Sequence, residues 1–281
     1  MKLAYKVLIV VVCILVIGAM VFGVERLCRY LYNQKSHRDL LRQMDRLNQV
    51  TQAMPKRNKI DYPIFYINLD KARDRRALME DQFRRHRVQN YRRIAAIDGR
   101  KLDSLRSGSA PGIPRYINSF RGLTSPELGC SLSHLKAIKI AYTEGLDTVL
   151  ILEDDASIDL MPLWDTERLS DLVKDLYDWE IIQFGYNFCD TNKDKACWGA
   201  WAYLINRVGA KKILDQFYPR DVVELKGAGT GRADDLLYKN MKTIVYPTSL
   251  FFLRPGSSSI SWGYEGKVSA ATAKTLRDIL M

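Results

Sequence analysis

Apolar and polar positions divide the chain into three stretches of different rhythm. Residues 7–24, VLIVVVCILVIGAMVFGV, form an unbroken apolar run with no charged residue, and about 18 such residues suffice to cross a bilayer as a helix. Residues 25–59 are polar and basic, with Leu40, Met44, Leu47 and Met54 at helical spacing; the pattern predicts a helical stem with a solvated charged face. From residue 60 to 281, short apolar runs of strand length alternate with longer amphipathic stretches. Ile64 to Leu69 in YPIFYINLD reads as a buried strand that leaves into a charged turn and helix, KARDRRALMEDQFRRH. YRRIAAIDG gives a second strand, and the Gly-, Ser- and Pro-rich residues 100–125 a loop or lid. Ser125 to Thr143 reads as a helix, with Pro126 and Glu127 where helix starts favour them. Val149 to Leu152 then forms a strand, followed by strands in DWEIIQFG and GAWAYLIN, a helix in RVGAKKILDQF, a helix opening at ADDLLYKNM and a late strand in KTIVYP. Strands alternating with helices predict an α/β domain with a mainly parallel sheet, in which ligands bind outside the carboxyl ends of the strands.

The division is therefore a membrane anchor over 1–24, a basic stem over 25–59 and one domain over 60–281. A cleaved signal peptide competes for the first segment, since Lys2 and Lys6 make a basic n-region. The run is long for an h-region, and Gly18, Ala19 and Gly23 give no clear A-x-A site; an N-terminal transmembrane helix is the expectation. Lys and Arg are more numerous on the C-terminal side (Arg26, Arg29, Lys35, Arg38, Arg42) than before the run. By the positive-inside rule the domain is cytoplasmic, with a Golgi or endoplasmic reticulum lumen as the alternative. Only Cys130, Cys189 and Cys197 lie in the domain; an odd number without CxxC spacing fits ordinary thiols in a reducing compartment, and a Cys189–Cys197 bridge belongs to the lumenal case. The seven-residue interval of Leu40, Leu47 and Met54 would also suit a short coiled coil joining two copies as a homodimer. The net charge of +11 raises nucleic acid as a partner, but the basic residues gather in the stem and near Arg84 to Arg93 without aromatic interleaving or a known module. No nucleic-acid partner is expected.

The chemistry concentrates where VLIL runs into Glu153, Asp154 and Asp155. Alternation along a strand would put Glu153 and Asp155 on one face and Asp154 on the other. Adjacent carboxylates repel and are costly to bury unpaired. A hard divalent cation, Mn²⁺ or Mg²⁺, resolves both problems and leaves coordination positions for phosphate oxygens. A solvated acidic turn is the plain alternative, opposed by the apolar strand that leads into it. Zinc is not expected, because His37, His86 and His134 lack ligand spacing.

Six blocks in order, FYINLDKARDRR, IAAIDG, GCSLSHLKAI, VLILEDDA, AYLINRVGAKKIL and ADDLLY, resemble glycosyltransferase family 25, which holds lipopolysaccharide and procollagen galactosyltransferases. The resemblance runs from about Ile64 to Tyr238, with a weaker continuation through YPTSLFFLRPGSSSIS. It implies a GT-A-like nucleotide-sugar-binding fold, a UDP-sugar donor with galactose favoured, and a glycan acceptor such as lipopolysaccharide, or in the lumenal case a protein acceptor. It also implies a metal held by Asp155 with support from Glu153, while Asp154 contacts ribose. The inverting reaction needs a general base, which the resemblance places at Asp234, with Asp235 next; capping of the helix is the plain reading of either. Asn68, Arg73 and Arg76 fall where such a fold meets the nucleotide, and arginines suit a diphosphate; a solvated basic helix competes. Asp98 and Gly99 close the second strand as base or ribose contacts or as a simple turn, and His134 lies beside the donor site or in the core. GAGTGR, Gly227 to Arg232, is neither a dinucleotide fingerprint nor a Walker loop, and reads as a mobile segment that delivers Asp234. Arg254 and Ser257 to Ser259 suit phosphate or, more simply, a polar surface loop. The competing class is a membrane-tethered binding protein on a decayed transferase scaffold, against which both acidic motifs are intact.

Overall fold

A computed structural model describes residues 57–104, 115–117, 123–186, 198–225, 229–247 and 250–253, with Arg42, Gln49, Thr51 and Met54 as isolated positions before them. The chain divides into units of residues 1–46 and 47–281, and every described residue except Arg42 belongs to the second. Among the described residues no helix is long and apolar enough to cross a membrane. The anchor expected over residues 7–24, most of the stem with its heptad, Cys189, Cys197, Arg254 and Ser257 to Ser259 all lie outside the described residues.

Six strands form the main sheet: β1 (Ile64–Asn68), β2 (Tyr91–Ala95), β4 (Thr148–Glu153), β6 (Ile181–Gln183), β7 (Ala202–Asn206) and β9 (Thr243–Val245), in the order β2-β1-β4-β7-β6-β9. Two small two-stranded sheets pair β3 (Arg115–Ile117) with β8 (Val222–Glu224), and β5 (Ala156–Ser157) with β10 (Phe252–Leu253). The helices are α1 (Arg73–Arg85), α2 (Ser125–Thr143), α3 (Leu169–Val173), α4 (Arg207–Phe217) and α5 (Ala233–Tyr238).

Period-2 alternation in the central strands separates two cores. Phe65, Ile67, Val149, Ile151, Tyr203 and Ile205 point to the face covered by α2, α4 and α5. Ile64, Tyr66, Leu150, Leu152, Ala202 and Leu204 point to the other, where Met79 and Phe83 of α1 cover them. Strands buried on both faces read as continuous apolar runs, which is why IFYIN and VLIL are legible as strands.

Pairing is parallel for β1 with β2, β1 with β4 and β6 with β9. β7 departs from that scheme, running antiparallel to both β4 and β6. An antiparallel neighbour, unlike a parallel one, does not require a helical crossover. The reversal pairs Ala202 with Leu152, so the residues that enter β7 stand at the carboxyl edge where β4 ends.

Helix α2 begins at a full capping box: Glu127 N–H donates to the Thr124 hydroxyl at 3.4 Å, and Thr124 N–H to the Glu127 carboxylate at 2.9 Å. Its packing against the end of β2 needs glycine twice. A Cβ at Gly129 would stand 2.6 Å from Gly99 N and 2.7 Å from the Ile97 carbonyl oxygen, and one at Gly99 would strike the Ser125 carbonyl at 1.8 Å. The two glycines let the helix start lie against the turn that closes the second strand.

Candidate active site

A cleft opens at the carboxyl edge of β1, β2 and β4, walled by the ends of those strands, the starts of α1 and α2, and the acidic turn. Lys71, Arg75, Asp98, Cys130, His134, Glu153, Asp154 and Asp155 are among its lining residues. The strand ends at Glu153, so Asp154 and Asp155 sit in a turn beyond it rather than on alternating strand faces. Each carboxylate therefore meets different company.

Glu153 keeps the orientation of Ile151 and faces α2, where His134 Nε2 lies 3.1 Å from its Oε1. The other ring nitrogen, Nδ1, is 2.9 Å from the Tyr203 hydroxyl. Burial raises the Tyr203 pKa and keeps that hydroxyl protonated, so the imidazole is held between a phenol and a carboxylate.

Asp154 turns towards β1. Its Oδ2 accepts from Asn68 Nδ2 at 2.6 Å, and its Oδ1 is 3.1 Å from the Arg75 guanidinium. Burial raises the Asp154 carboxyl above its ordinary value, with Arg75 and Asn68 offsetting part of the rise. Asn68 is itself buried and committed: its amide also donates to the Ala72 carbonyl at 3.1 Å, and its oxygen accepts from Arg93 Nε at 2.9 Å. Asn68 thus orients Asp154 rather than facing the cleft.

Asp155 is the carboxylate left over. It is 5% exposed, yet its Oδ1 has no hydrogen-bond partner. Burial first, then the neighbouring Glu153 and Asp154, push its pKa well up. An unpartnered buried carboxylate oxygen is costly unless a proton or cation satisfies it. Oxygen donors in this number fit the hard divalent cation expected at the acidic motif. A second donor set adjoins: ligand atoms of Cys130, His134 and Glu153 lie within 4.8 Å of one another. Cys130, a free thiol, is one helical turn from His134 on α2.

The acidic pair of α5 separates cleanly. Asp235 Oδ2 accepts from the Thr230 N–H at 2.7 Å and from the Thr230 hydroxyl, closing the turn that precedes the helix. Asp234 Oδ1 accepts the Gly199 N–H at 3.0 Å. Burial, with a smaller contribution from Glu153, raises the Asp234 pKa to about 6, against the opposing Gly199 hydrogen bond.

Arg73 and Arg76 are exposed on α1, and Arg76 pairs with Glu80 at 2.8 Å. Neither lines the cleft; Arg75, which sequence reasoning passed over, does. The signal was present, since Arg75 lies four residues before Met79 and so on the buried stripe of the helix. Asp98 lines the cleft, and although burial opposes it, the Lys71 ammonium holds its carboxyl below the usual range.

The GCSLSH block is explained by what α2 reaches. Ser133 accepts the Ile97 N–H at 2.8 Å at the end of the IAAIDG block. Ser131 donates to the Gly231 carbonyl at 2.8 Å in the turn before α5, and His134 meets Glu153. Glu127 Oε1 accepts from Arg232 Nε at 2.7 Å. One helix thereby fixes the second strand, the acidic turn and the α5 entry relative to each other.

The family model described as "Glycosyltransferase family 25 (LPS biosynthesis protein)" matches residues 61–224. A "Glycosyltransferase 25 family member" from Aedes aegypti is 28% identical over 169 residues, covering 54% of this chain and 28% of that protein. "Procollagen galactosyltransferase 2" from Mus musculus is 31% identical over 174 residues, covering 54% and 27%. "Inactive glycosyltransferase 25 family member 3" from Homo sapiens is 29% identical over 183 residues, covering 59% and 31%. The chain spans less than a third of the length of each of these relatives. Among solved structures, an active-site mutant of LgtC aligns with a TM-score of 0.34 at 16% identity, over 65% of this chain and 71% of that one. With over half of its residues matched by the family model, the chain belongs to glycosyltransferase family 25.

Proposed function

We propose that the protein is a metal-dependent, inverting glycosyltransferase with a GT-A-like fold, moving a sugar, galactose favoured, from a UDP-sugar to a hydroxyl of a glycan acceptor. The observation that carries the reading is the buried, unpartnered oxygen of Asp155 at the carboxyl edge of β4. It is a poor arrangement for stability alone, and it suits a site made to receive a cation. Asp155 would hold the metal, with Glu153 beside it. A bound divalent cation supplies Lewis-acid neutralisation of the diphosphate leaving group.

The chain's own residues divide the remaining tasks. Arg75, fixed by its ion pair with Asp154, lines the cleft with a guanidinium suited to a diphosphate. Asp154, held by Asn68 and Arg75, would meet ribose through the lone pairs these contacts leave, and Asp98 lines the same cleft. Asp234 takes the proton of the acceptor hydroxyl as that oxygen bonds to the anomeric carbon; the bond from this carbon to the diphosphate breaks, and UDP departs with its electron pair. A base whose pKa stands near 6 is ionised at neutral pH yet still basic enough to accept a proton. Asp235, engaged by Thr230, shapes the loop that presents it.

The proposal extends to a membrane-anchored enzyme with its domain on the cytoplasmic side and lipopolysaccharide as acceptor, which anchoring would hold at the same surface. Procollagen galactosyltransferase among the relatives supports galactose as the donor sugar. The inactive human relative makes the non-catalytic scaffold the alternative. The deciding experiment follows UDP release from a panel of UDP-sugars with Mn²⁺ and then with excess chelator. Chelator-sensitive release from one donor is expected. A folded sample that neither binds UDP nor releases it from any donor overturns the reading.

A further inference from the structure

The reversed direction of β7 brings its leading residues to the site. Glu153 N–H donates to the Trp201 carbonyl at 2.9 Å, and the chain just before Trp201 is pinned more tightly. Gly199 N–H donates to Asp234 Oδ1 at 3.0 Å. The Gly199 carbonyl accepts from Gln183 Nε2 at 2.7 Å and from the Tyr238 hydroxyl at 2.9 Å. Gly199 has φ of +133°, and any Cβ there would strike the Trp201 ring at 2.3 Å, so only glycine fits this path.

Trp198 is the residue this anchor presents. Peptide geometry places its Cα within about 5.5 Å of the Asp234 oxygen that its neighbour's N–H reaches. Its side chain is nevertheless 51% exposed, although indole is among the side chains that gain most from burial. What sets this exposed aromatic apart is its place, on an immobilised backbone next to a buried carboxylate, where a ligand that reached the carboxylate would meet the indole.

The chemistry selects the ligand. A pyranose turns its hydroxyls outward around the ring and leaves a face of C–H bonds, apolar and slightly positive. That face matches the negative face of an indole. The acceptor hydroxyl must come within hydrogen-bond reach of Asp234, about 2.6–3.2 Å, and the Trp198 backbone stands beside that carboxylate, which brings the ring that bears the hydroxyl within reach of an indole. A hydroxyl on a flexible amino-acid side chain carries no such face. We infer that Trp198 is the stacking platform for the pyranose that bears the acceptor hydroxyl. This rests on the transferase reading above.

The test uses the full chain labelled with 5-fluorotryptophan, with the Trp198 ¹⁹F line identified by its loss in Trp198→Phe. Methyl β-D-galactopyranoside and free hydroxylysine are titrated separately in the presence of Mn²⁺ and UDP. The Trp198 line should move saturably with the glycoside and stay still with hydroxylysine. Trp198→Ala should raise the glycoside Kd roughly fivefold to tenfold, the loss of one aromatic contact, and Trp198→Phe by less than about threefold. UDP affinity of both variants serves as the check on folding. A line that ignores the glycoside while UDP binds overturns the platform and spares the transferase reading. A response to hydroxylysine alone overturns it in favour of a protein acceptor. Failure of UDP to bind the folded chain removes both.

Discussion

Replacing Asp234 with Asn removes a charge but keeps a hydrogen-bond acceptor, since the Asn oxygen can still take the Gly199 N–H now 3.0 Å from the carboxylate. Burial, then the Glu153 charge, carry this carboxyl from an ordinary 3.8 to about 6. Between those values the folded protein holds a proton that the unfolded chain has released. The group's contribution to stability is therefore intact below about pH 4 and lost as pH rises through 6. A gap of about two units is worth about 3 kcal/mol, and partial solvent access trims this to about 1–3 kcal/mol. Asp234→Asn should thus be more stable than the parent by that amount at pH 7.5, equal to it near pH 4, and slower in turnover by roughly 10²- to 10⁴-fold. Urea unfolding in the presence of chelator, run at both pH values, reads the first two numbers. A variant that is less stable at pH 7.5, or shifted equally at both pH values, would show Asp234 to be a structural acceptor and refute the reasoning.

Other consequences can be checked on the same material. Mn²⁺ at a hundred times its Kd should stabilise the parent by about 2.7 kcal/mol and leave Asp155→Ala unmoved; equal stabilisation would transfer the metal to the Cys130, His134 and Glu153 group. Gly129→Ala forces a Cβ to 2.6 Å from Gly99 N and should cost about 1–3 kcal/mol, read as a lower melting temperature. An unchanged melting temperature would show that the turn yields. Arg75→Met leaves the Asp154 carboxylate without its ion pair and should lose about 3 kcal/mol together with UDP affinity. Arg73→Met, on the exposed side of the same helix, should stay within about 0.5 kcal/mol; similar losses for both variants would sink the assignment.

The fold was legible where local chemistry is strong. Pro126 and Glu127 announce α2, and the doubly buried strands announce themselves as apolar runs. Strand direction was not legible, because it depends on how the chain returns: GAWAYLIN looks the same read as a parallel or a reversed strand. The acidic turn could be located but not apportioned, since the partners of Glu153, Asp154 and Asp155 come from α2, β1 and α1. Likewise nothing local separates Asp234 from Asp235; the Gly199 and Thr230 contacts do. Arg75 was within reach, since a helical wheel places it, unlike Arg73 and Arg76, on the buried stripe it shares with Met79.

The serines and histidine of α2 also bear on how such a protein can fail. Ser131, Ser133 and His134 hold three separate segments in register, but none of them need meet a reactant for that task. A duplicate of this gene could therefore drift into silence with every carboxylate still in place, through changes at two small hydroxyls that leave the fold's outline intact. Intact acidic motifs are then a poor certificate of activity in its descendants; the small polar residues of this one strut are the better place to look for the first signs of decay.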